Sequence, residues 1–246
     1  MTAPDWLTAR PIAHRGLHDR DKPENSLAAL RAALARGYGV EADIRLSRDG
    51  EIFVFHDDDL ARLTGAEGAF RRRDAADLAG LRLADGAPIP TLAAFLREAQ
   101  GATPLILELK SDFDGDLSLA RATQAALAGY DGPVALKSFD PALIAALRAG
   151  TAVWPLGVVA QADYEEDEDF AALAPEARDR LARFVHAGET RPDFLSWRCG
   201  DLPNAVCELA RACAQMPVIS WTVRSAAQAS QVLRHADQIV FEGFAP

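Results

Sequence analysis

His14, Glu41, Asp43, His56 and Glu108 are the residues of this chain whose types and spacing could do chemistry together. Glu41, Asp43 and Glu108 are hard oxygen donors of the kind Mg2+ and Ca2+ prefer, whereas zinc favours His and Cys. That leaves the two histidines for proton transfer, because an unperturbed imidazole titrates near neutrality. Arg15 follows His14, and Lys110 lies two positions past Glu108. Both add fixed positive charge suited to a phosphate. The set fits phosphoryl transfer. Acyl transfer would call for a GxSxG elbow and nucleotide binding for a GxxxxGK[ST] loop, and the sequence has neither.

The scaffold must bring these positions to one place. Apolar, strand-like segments run over Pro11–Gly16, Val40–Leu46, Ile52–Asp57, Leu105–Lys110, Val134–Phe139, Val153–Val159, Phe194–Arg198, Val218–Val223 and Ile239–Phe241. Ala- and Leu-rich helices fit between most of them: a first one capped by Asn25 or Ser26 and running to Gly37, then Leu92–Ala99, Leu117–Leu127, Pro141–Leu147, Pro175–Val185 and Ala205–Ala214. This alternation predicts βαβ units and a parallel sheet. At 246 residues a closed TIM-type (β/α)8 barrel is the leading architecture, with a doubly wound open sheet second.

Barrel enzymes carry their chemistry at the C-terminal ends of strands. His14-Arg15, His56-Asp57 and Glu108/Lys110 fall at such ends, and Glu41 and Asp43, two apart on one strand, share a face. Two carboxylates buried in an apolar strand are costly unless paired or bound to a cation, so core packing does not account for them.

Two segments break the rhythm. Ser47-Arg48-Asp49-Gly50 is too short for a crossover helix and reads as a tight turn, and nine strand candidates compete for eight barrel positions. Residues 58–90, rich in charge, Gly and Pro, read as a small rim insertion after the third strand of one domain spanning 1–246. Arg71-Arg72-Arg73 within it, and the acidic stretch Asp163–Asp169, read as solvated faces.

The net charge of −10 argues against a broad nucleic-acid or anionic-membrane footprint. Cys199, Cys207 and Cys213 form no metal-binding spacing and read as reduced, mostly buried thiols. The N-terminal residues lack a signal-peptide pattern, and no run reaches the ~20 apolar residues of a membrane span, which leads to a cytoplasmic expectation.

In order along the chain, His14-Arg15-Gly16, Pro23-Glu24-Asn25-Ser26, Glu41-x-Asp43, Asp49-Gly50, His56-Asp57, Leu60, Arg62 and Thr64-Gly65 resemble the glycerophosphodiester phosphodiesterase family. Pro90-Thr91-Leu92, Glu108-x-Lys110, Ser138-Phe139 and Trp221-Thr222-Val223 extend the resemblance over nearly the whole chain. It implies metal-dependent hydrolysis of glycerophosphodiesters to sn-glycerol 3-phosphate and an alcohol. Glu41, Asp43 and Glu108 would hold Mg2+ or Ca2+, His14 and His56 would act as acid and base, Arg15 and Lys110 would contact the phosphate, and Trp221 would form an apolar wall.

Two positions depart from the family pattern: Arg224 stands where Asn is usual, and Glu242 where the last strand usually ends in Asp. Both are expected to bear on substrate preference more than on catalysis. Lys137 reads equally as a phosphate contact or as a structural or solvent-facing residue. A lysophospholipase D-type cut of lysophospholipids, and a phosphodiester-binding barrel without turnover, are the alternatives.

Overall fold

A computed structural model describes residues 3–150, 153–165 and 167–246. Among them run nine strands: β1 (Ile12–Ala13), β2 (Gly39–Leu46), β3 (Ile52–Val54), β4 (Leu105–Leu109), β5 (Val134–Ser138), β6 (Leu156–Ala160), β7 (Phe194–Arg198), β8 (Val218–Val223) and β9 (Gln238–Phe241). Eight are parallel neighbours in the order β1, β2, β4, β5, β6, β7, β8, β9, and β9 returns to β1, so the sheet closes into a TIM-type barrel.

The ninth strand is β3. It pairs antiparallel with β2 through Ile44–Val54 and Leu46–Ile52 and stands outside the barrel. The Ser47–Gly50 link is the tight turn expected, with Gly50 at φ 93° and Ser47 Oγ donating to Asp49 Oδ1 at 2.7 Å. The rim insertion therefore lies in the crossover between the second and third barrel strands. It packs Leu60, Phe70, Leu78, Leu83 and Ile89 with Phe53 and Phe55 into an apolar cluster of its own.

Period-two alternation separates the two faces of the sheet. Outward residues such as Val40, Ala42, Leu107, Leu136 and Val158 pack into the main core, shared with the surrounding helices. Ile12, Ile106, Ala135, Phe194, Ile219 and Val240 instead join Leu7 in a separate apolar plug inside the barrel. Two residues beyond the plug along the chain stand Glu108, Lys137, Ser196 and Trp221 on their strands, and His14 and Glu242 just past the ends of β1 and β9. The barrel interior thus changes from an apolar layer to a polar one in a single strand repeat. Gly157 makes room in the plug: a Cβ there would lie 2.3 Å from the Phe194 ring.

Local sequence chooses the helix ends. Ser26, not Asn25, caps the helix Leu27–Arg36 by accepting from Ala29 N at 3.0 Å, and Gly37 ends it in the left-handed region at φ 70°. Thr91, Asp140, Asn204 and Ser225 cap later helices in the same way. Two strand expectations shrink: β1 stops at Ala13 because Arg15 and Gly16 turn at φ 53° and 81°, and β6 starts at Leu156, leaving Val153 exposed. Of the three cysteines only Cys207 is buried. Among the described residues, no helix is long and apolar enough to cross a membrane.

Candidate active site

Glu41 and Asp43 project from β2, and Glu108 from β4 beside Asp43 in register. All three are buried, and one oxygen from each lies within 4.8 Å of the others. Lys137, from β5 beside Glu108, places Nζ 3.0 Å from Glu41 Oε1 and 3.1 Å from Glu108 Oε2. Lys110 Nζ reaches Glu108 Oε1 at 2.9 Å. Lys137 is therefore not solvent-facing. It is a buried cation bridging two carboxylates.

These contacts keep Asp43 and Glu108 ionised. Burial alone would raise Asp43 and Glu108, yet His56, Arg15 and Lys110 outweigh it at Asp43, and Lys110 and Lys137 at Glu108. Both carboxyls stay below their ordinary range. Burial likewise opposes the charge on Lys137, and Glu41 and Glu108 still raise its pKa.

The turn after β1 builds the next wall. Arg15 donates its backbone N–H to Glu41 Oε2 at 3.1 Å and Nη1 to Glu24 Oε1 at 2.6 Å, while its Nε lies 3.3 Å from Asp43 Oδ2. Gly16 is needed here: a Cβ would meet Ala29 Cβ at 2.8 Å, and φ is 81°. Asn25, at φ 58°, clamps Asp43 by donating Nδ2 to Oδ2 at 2.9 Å and accepting its backbone N–H at 3.1 Å.

Each candidate proton carrier has a carboxylate on Nδ1. His56 Nδ1 is 2.8 Å from Asp57 Oδ1, and His14 Nδ1 is 2.6 Å from Glu242 Oε2. A proton on Nδ1 donated to a carboxylate leaves the Nε2 lone pair of a neutral ring available to substrate. His56 does not end a barrel strand, as its sequence position implied; it follows the hairpin strand β3. Phe55 N–H donates to Asp43 O at 2.9 Å, and Arg45 Nε donates to His56 O at 2.7 Å, which fixes the loop over the barrel mouth. Arg62 spans Asp57 and Glu24, so an unbroken ionic chain runs from His56 through Asp57, Arg62 and Glu24 to Arg15. Burial pushes Glu24 up, but Arg62 and Arg15 hold it at about 2.

With this geometry in place, the profile of the glycerophosphoryl diester phosphodiesterase family matches residues 14–239. The chain belongs to that family. Among glycerophosphodiester phosphodiesterases it is 39% identical over 82 residues to a Mycobacterium tuberculosis protein named as a probable member, covering 33% of this chain and 31% of that one. It is 43% identical over 58 residues to one from Caldanaerobacter subterraneus, covering 23% and 24%. The matched stretches thus span only a quarter to a third of those relatives. An Oleispira antarctica phosphodiesterase, solved with the product sn-glycerol-3-phosphate, shares the fold with a TM-score of 0.78 at 23% identity, over 96% of this chain and 94% of that one.

His14, Arg15, Asp43, His56, Glu108 and Lys110 all line one cleft of about 580 Å3 in this phosphodiesterase-family barrel. Trp221 lines it too. Its Nε1 donates to Ser196 O at 2.9 Å, and its ring meets Phe139 edge-on at 5.5 Å.

One reading of the sequence is corrected here. The acidic stretch Asp163–Asp169, of which Glu166 lies outside the described residues, is not a merely solvated loop. Tyr164 and, just beyond it, Phe170 are buried against Phe139, and Asp163, Asp167 and Asp169 line the cleft. Glu242 and Arg224, which depart from the family pattern, meet one of the candidate proton carriers. Arg224 Nε donates to Glu242 Oε1 at 2.6 Å while the other oxygen holds His14. Period-two counting from Val240 would have placed Glu242 on the polar layer. The run Arg71-Arg72-Arg73 stays exposed, although Arg71 pairs with Asp112 at 2.8 Å and Asp114 at 3.0 Å.

Proposed function

We propose that this chain hydrolyses glycerophosphodiesters to sn-glycerol 3-phosphate and an alcohol, with His14 and His56 as the proton carriers. The observation that carries this reading is the pair of carboxylate-oriented histidines opening on one cleft with Asp43 and Glu108 of the buried three-carboxylate cluster. The product bound by the Oleispira antarctica relative supports the substrate class.

The donor chemistry fits a hard divalent cation, Mg2+ or Ca2+: three carboxyl groups converge from adjacent strands, with no thiol or imidazole among them. Glu41, Asp43 and Glu108 would hold it, sharing oxygens with Lys137 and Lys110. When bound, such an ion supplies charge neutralisation for a phosphate oxygen.

The chain's own groups do the rest. Arg15 and Lys110 draw the phosphate into the cleft. One histidine takes the proton of the attacking hydroxyl, from the substrate's own glycerol or from water, through Nε2. As the new P–O bond forms and the bond to the departing alcohol breaks, the other histidine, entering as the imidazolium, delivers its Nε2 proton to the leaving oxygen. Where the glycerol hydroxyl is the nucleophile, water then opens the cyclic phosphate with the two histidine roles exchanged, giving glycerol 3-phosphate. Glu242 and Asp57 accept from Nδ1 of each ring, which leaves Nε2 as the accepting nitrogen of the neutral ring and as the donor of the charged one. A glycerol hydroxyl gains from being already in place, an advantage worth several kcal/mol. Trp221 and Phe139 offer an apolar wall to the carbon skeleton.

The test is a panel of glycerophosphodiesters and lysophospholipids, with and without EDTA, read by coupled detection of glycerol 3-phosphate and of the free alcohol. The expected result is metal-dependent release of glycerol 3-phosphate from glycerophosphodiesters. Headgroup release from lysophospholipids alone, or no turnover with any of several divalent ions, would overturn the proposal.

A further inference from the structure

His14, His18 and Glu242 form a second constellation beside the carboxylate cluster. One ring nitrogen of each histidine and one oxygen of Glu242 lie within 4.8 Å of one another. The left-handed turn at Arg15 and Gly16 folds the chain back so that His18 faces the same carboxylate as His14. Glu242 Oε2 is 2.6 Å from His14 Nδ1 and 3.6 Å from His18 Nε2. The longer separation is no hydrogen bond, and His18 Nε2 is shielded from solvent without a hydrogen-bond partner. A shielded ring nitrogen aimed at a carboxylate, with nothing donated or accepted, points to a missing binding partner.

The chemistry of this set differs from that of its neighbour. Glu41, Asp43 and Glu108 offer oxygen alone, whereas two imidazoles and one carboxylate form a borderline donor set that suits zinc with a fourth position open. Zinc ligands at ~2.0–2.2 Å place tetrahedral donors roughly 3.3 Å apart, so the His14–Glu242 contact would open and the His18–Glu242 contact close by well under 1 Å each. Arg224 can keep its hold on the other Glu242 oxygen.

We propose that His14, His18 and Glu242 bind Zn2+ at a site separate from the carboxylate cluster, and that occupation of this site inhibits the enzyme. A metal on Nδ1 uses the lone pair there, so the neutral ring carries its proton on Nε2. The nitrogen that faces substrate then donates a hydrogen bond and accepts no proton. The inhibitory consequence rests on the role proposed for His14 above; the binding does not.

The experiment uses the full chain, stripped of metal and then held in millimolar Mg2+, with Zn2+ titrated against a chromophoric zinc chelator. Wild type is compared with His18→Ala and His18→Asn, whose folding is checked by thermal melting. The expected result is one zinc bound per wild-type chain, with half-inhibition at the zinc concentration that half-fills the site. In both variants zinc affinity falls at least tenfold and half-inhibition moves with it, while Mg2+-dependent turnover stays within about twofold. Unchanged zinc affinity and unchanged inhibition in folded variants would overturn the proposal and place zinc on the carboxylate cluster. Binding lost in both variants of a chain that hydrolyses no glycerophosphodiester would support the site and overturn only the proposed activity.

Discussion

Glu242 Oε2 lies 2.6 Å from His14 Nδ1, joining the last barrel strand to the turn after the first. The hydrogen bond from His14, with Arg224 on the other oxygen, holds the Glu242 carboxyl well below the usual carboxylate range. Glu242 therefore stays an acceptor throughout the working pH range and fixes which His14 nitrogen faces the cleft.

Replacing Glu242 by Gln removes that charge with little change of shape. The amide can still accept from Nδ1 but can equally present its N–H2, so the ring loses its enforced tautomer. The expected outcome is a fall in kcat of about 10–100-fold with KM within about threefold, because the loss is in proton transfer, to which a general acid or base contributes 10²–10⁴-fold. Steady-state kinetics on a glycerophosphodiester checks this; an unchanged kcat would make Glu242 a bystander.

Lys137 carries a different prediction. Its ammonium is buried between Glu41 and Glu108, so Lys137→Met leaves two buried carboxylates without their shared partner. Breaking a buried ion pair from one side costs about 3–5 kcal/mol. Urea unfolding in EDTA should show a loss of that order. A divalent cation bound at the same carboxylates supplies the missing charge, so added Mg2+ should stabilise the variant more than wild type. Equal stabilisation of both would argue that the ion does not sit on Glu41 and Glu108.

How much of this was readable beforehand depended on whether a signal was local. Glu41 and Asp43 share a strand, and a spacing of two in an apolar run already places both carboxylates on one face. β3 was ambiguous because its apolar sequence matches a barrel strand; only the short Ser47–Gly50 link marked it as a hairpin. The partner of His14 was hidden because it lies 228 residues away, and the contact exists only once β9 closes on β1. In the acidic stretch, the density of charge obscured Tyr164 and the nearby Phe170, whose burial holds the loop over the cleft.

The chain from Arg62 to Glu24 makes a pH prediction. Glu24 is held at about 2 against an ordinary value of 4.5, so its ion pairs with Arg62 and Arg15 favour the folded state fully above 4.5 and are lost as the pH falls toward 2. Arg62→Gln removes one of the two cations. The difference in urea midpoint between wild type and variant should be largest above pH 5 and shrink toward pH 2. A difference independent of pH would assign the role of Arg62 to packing.

The apolar plug makes the last prediction. A Cβ at Gly157 would sit 2.3 to 2.7 Å from three carbons of the Phe194 ring, and Phe194 is wholly buried in the apolar plug. Gly157→Ala should therefore destabilise by about 1–3 kcal/mol through overpacking. Phe194→Leu alone should also destabilise, by leaving part of the plug unfilled. Combined, the two should cost less than their sum, because the smaller side chain frees the volume the new methyl needs. A double-mutant cycle in urea reads this coupling, expected at about 0.5–3 kcal/mol for residues in contact. Strict additivity would mean that β6 shifts to relieve the clash. The polar layer one repeat above would then shift with it, and kcat of Gly157→Ala would fall even where the protein remains folded.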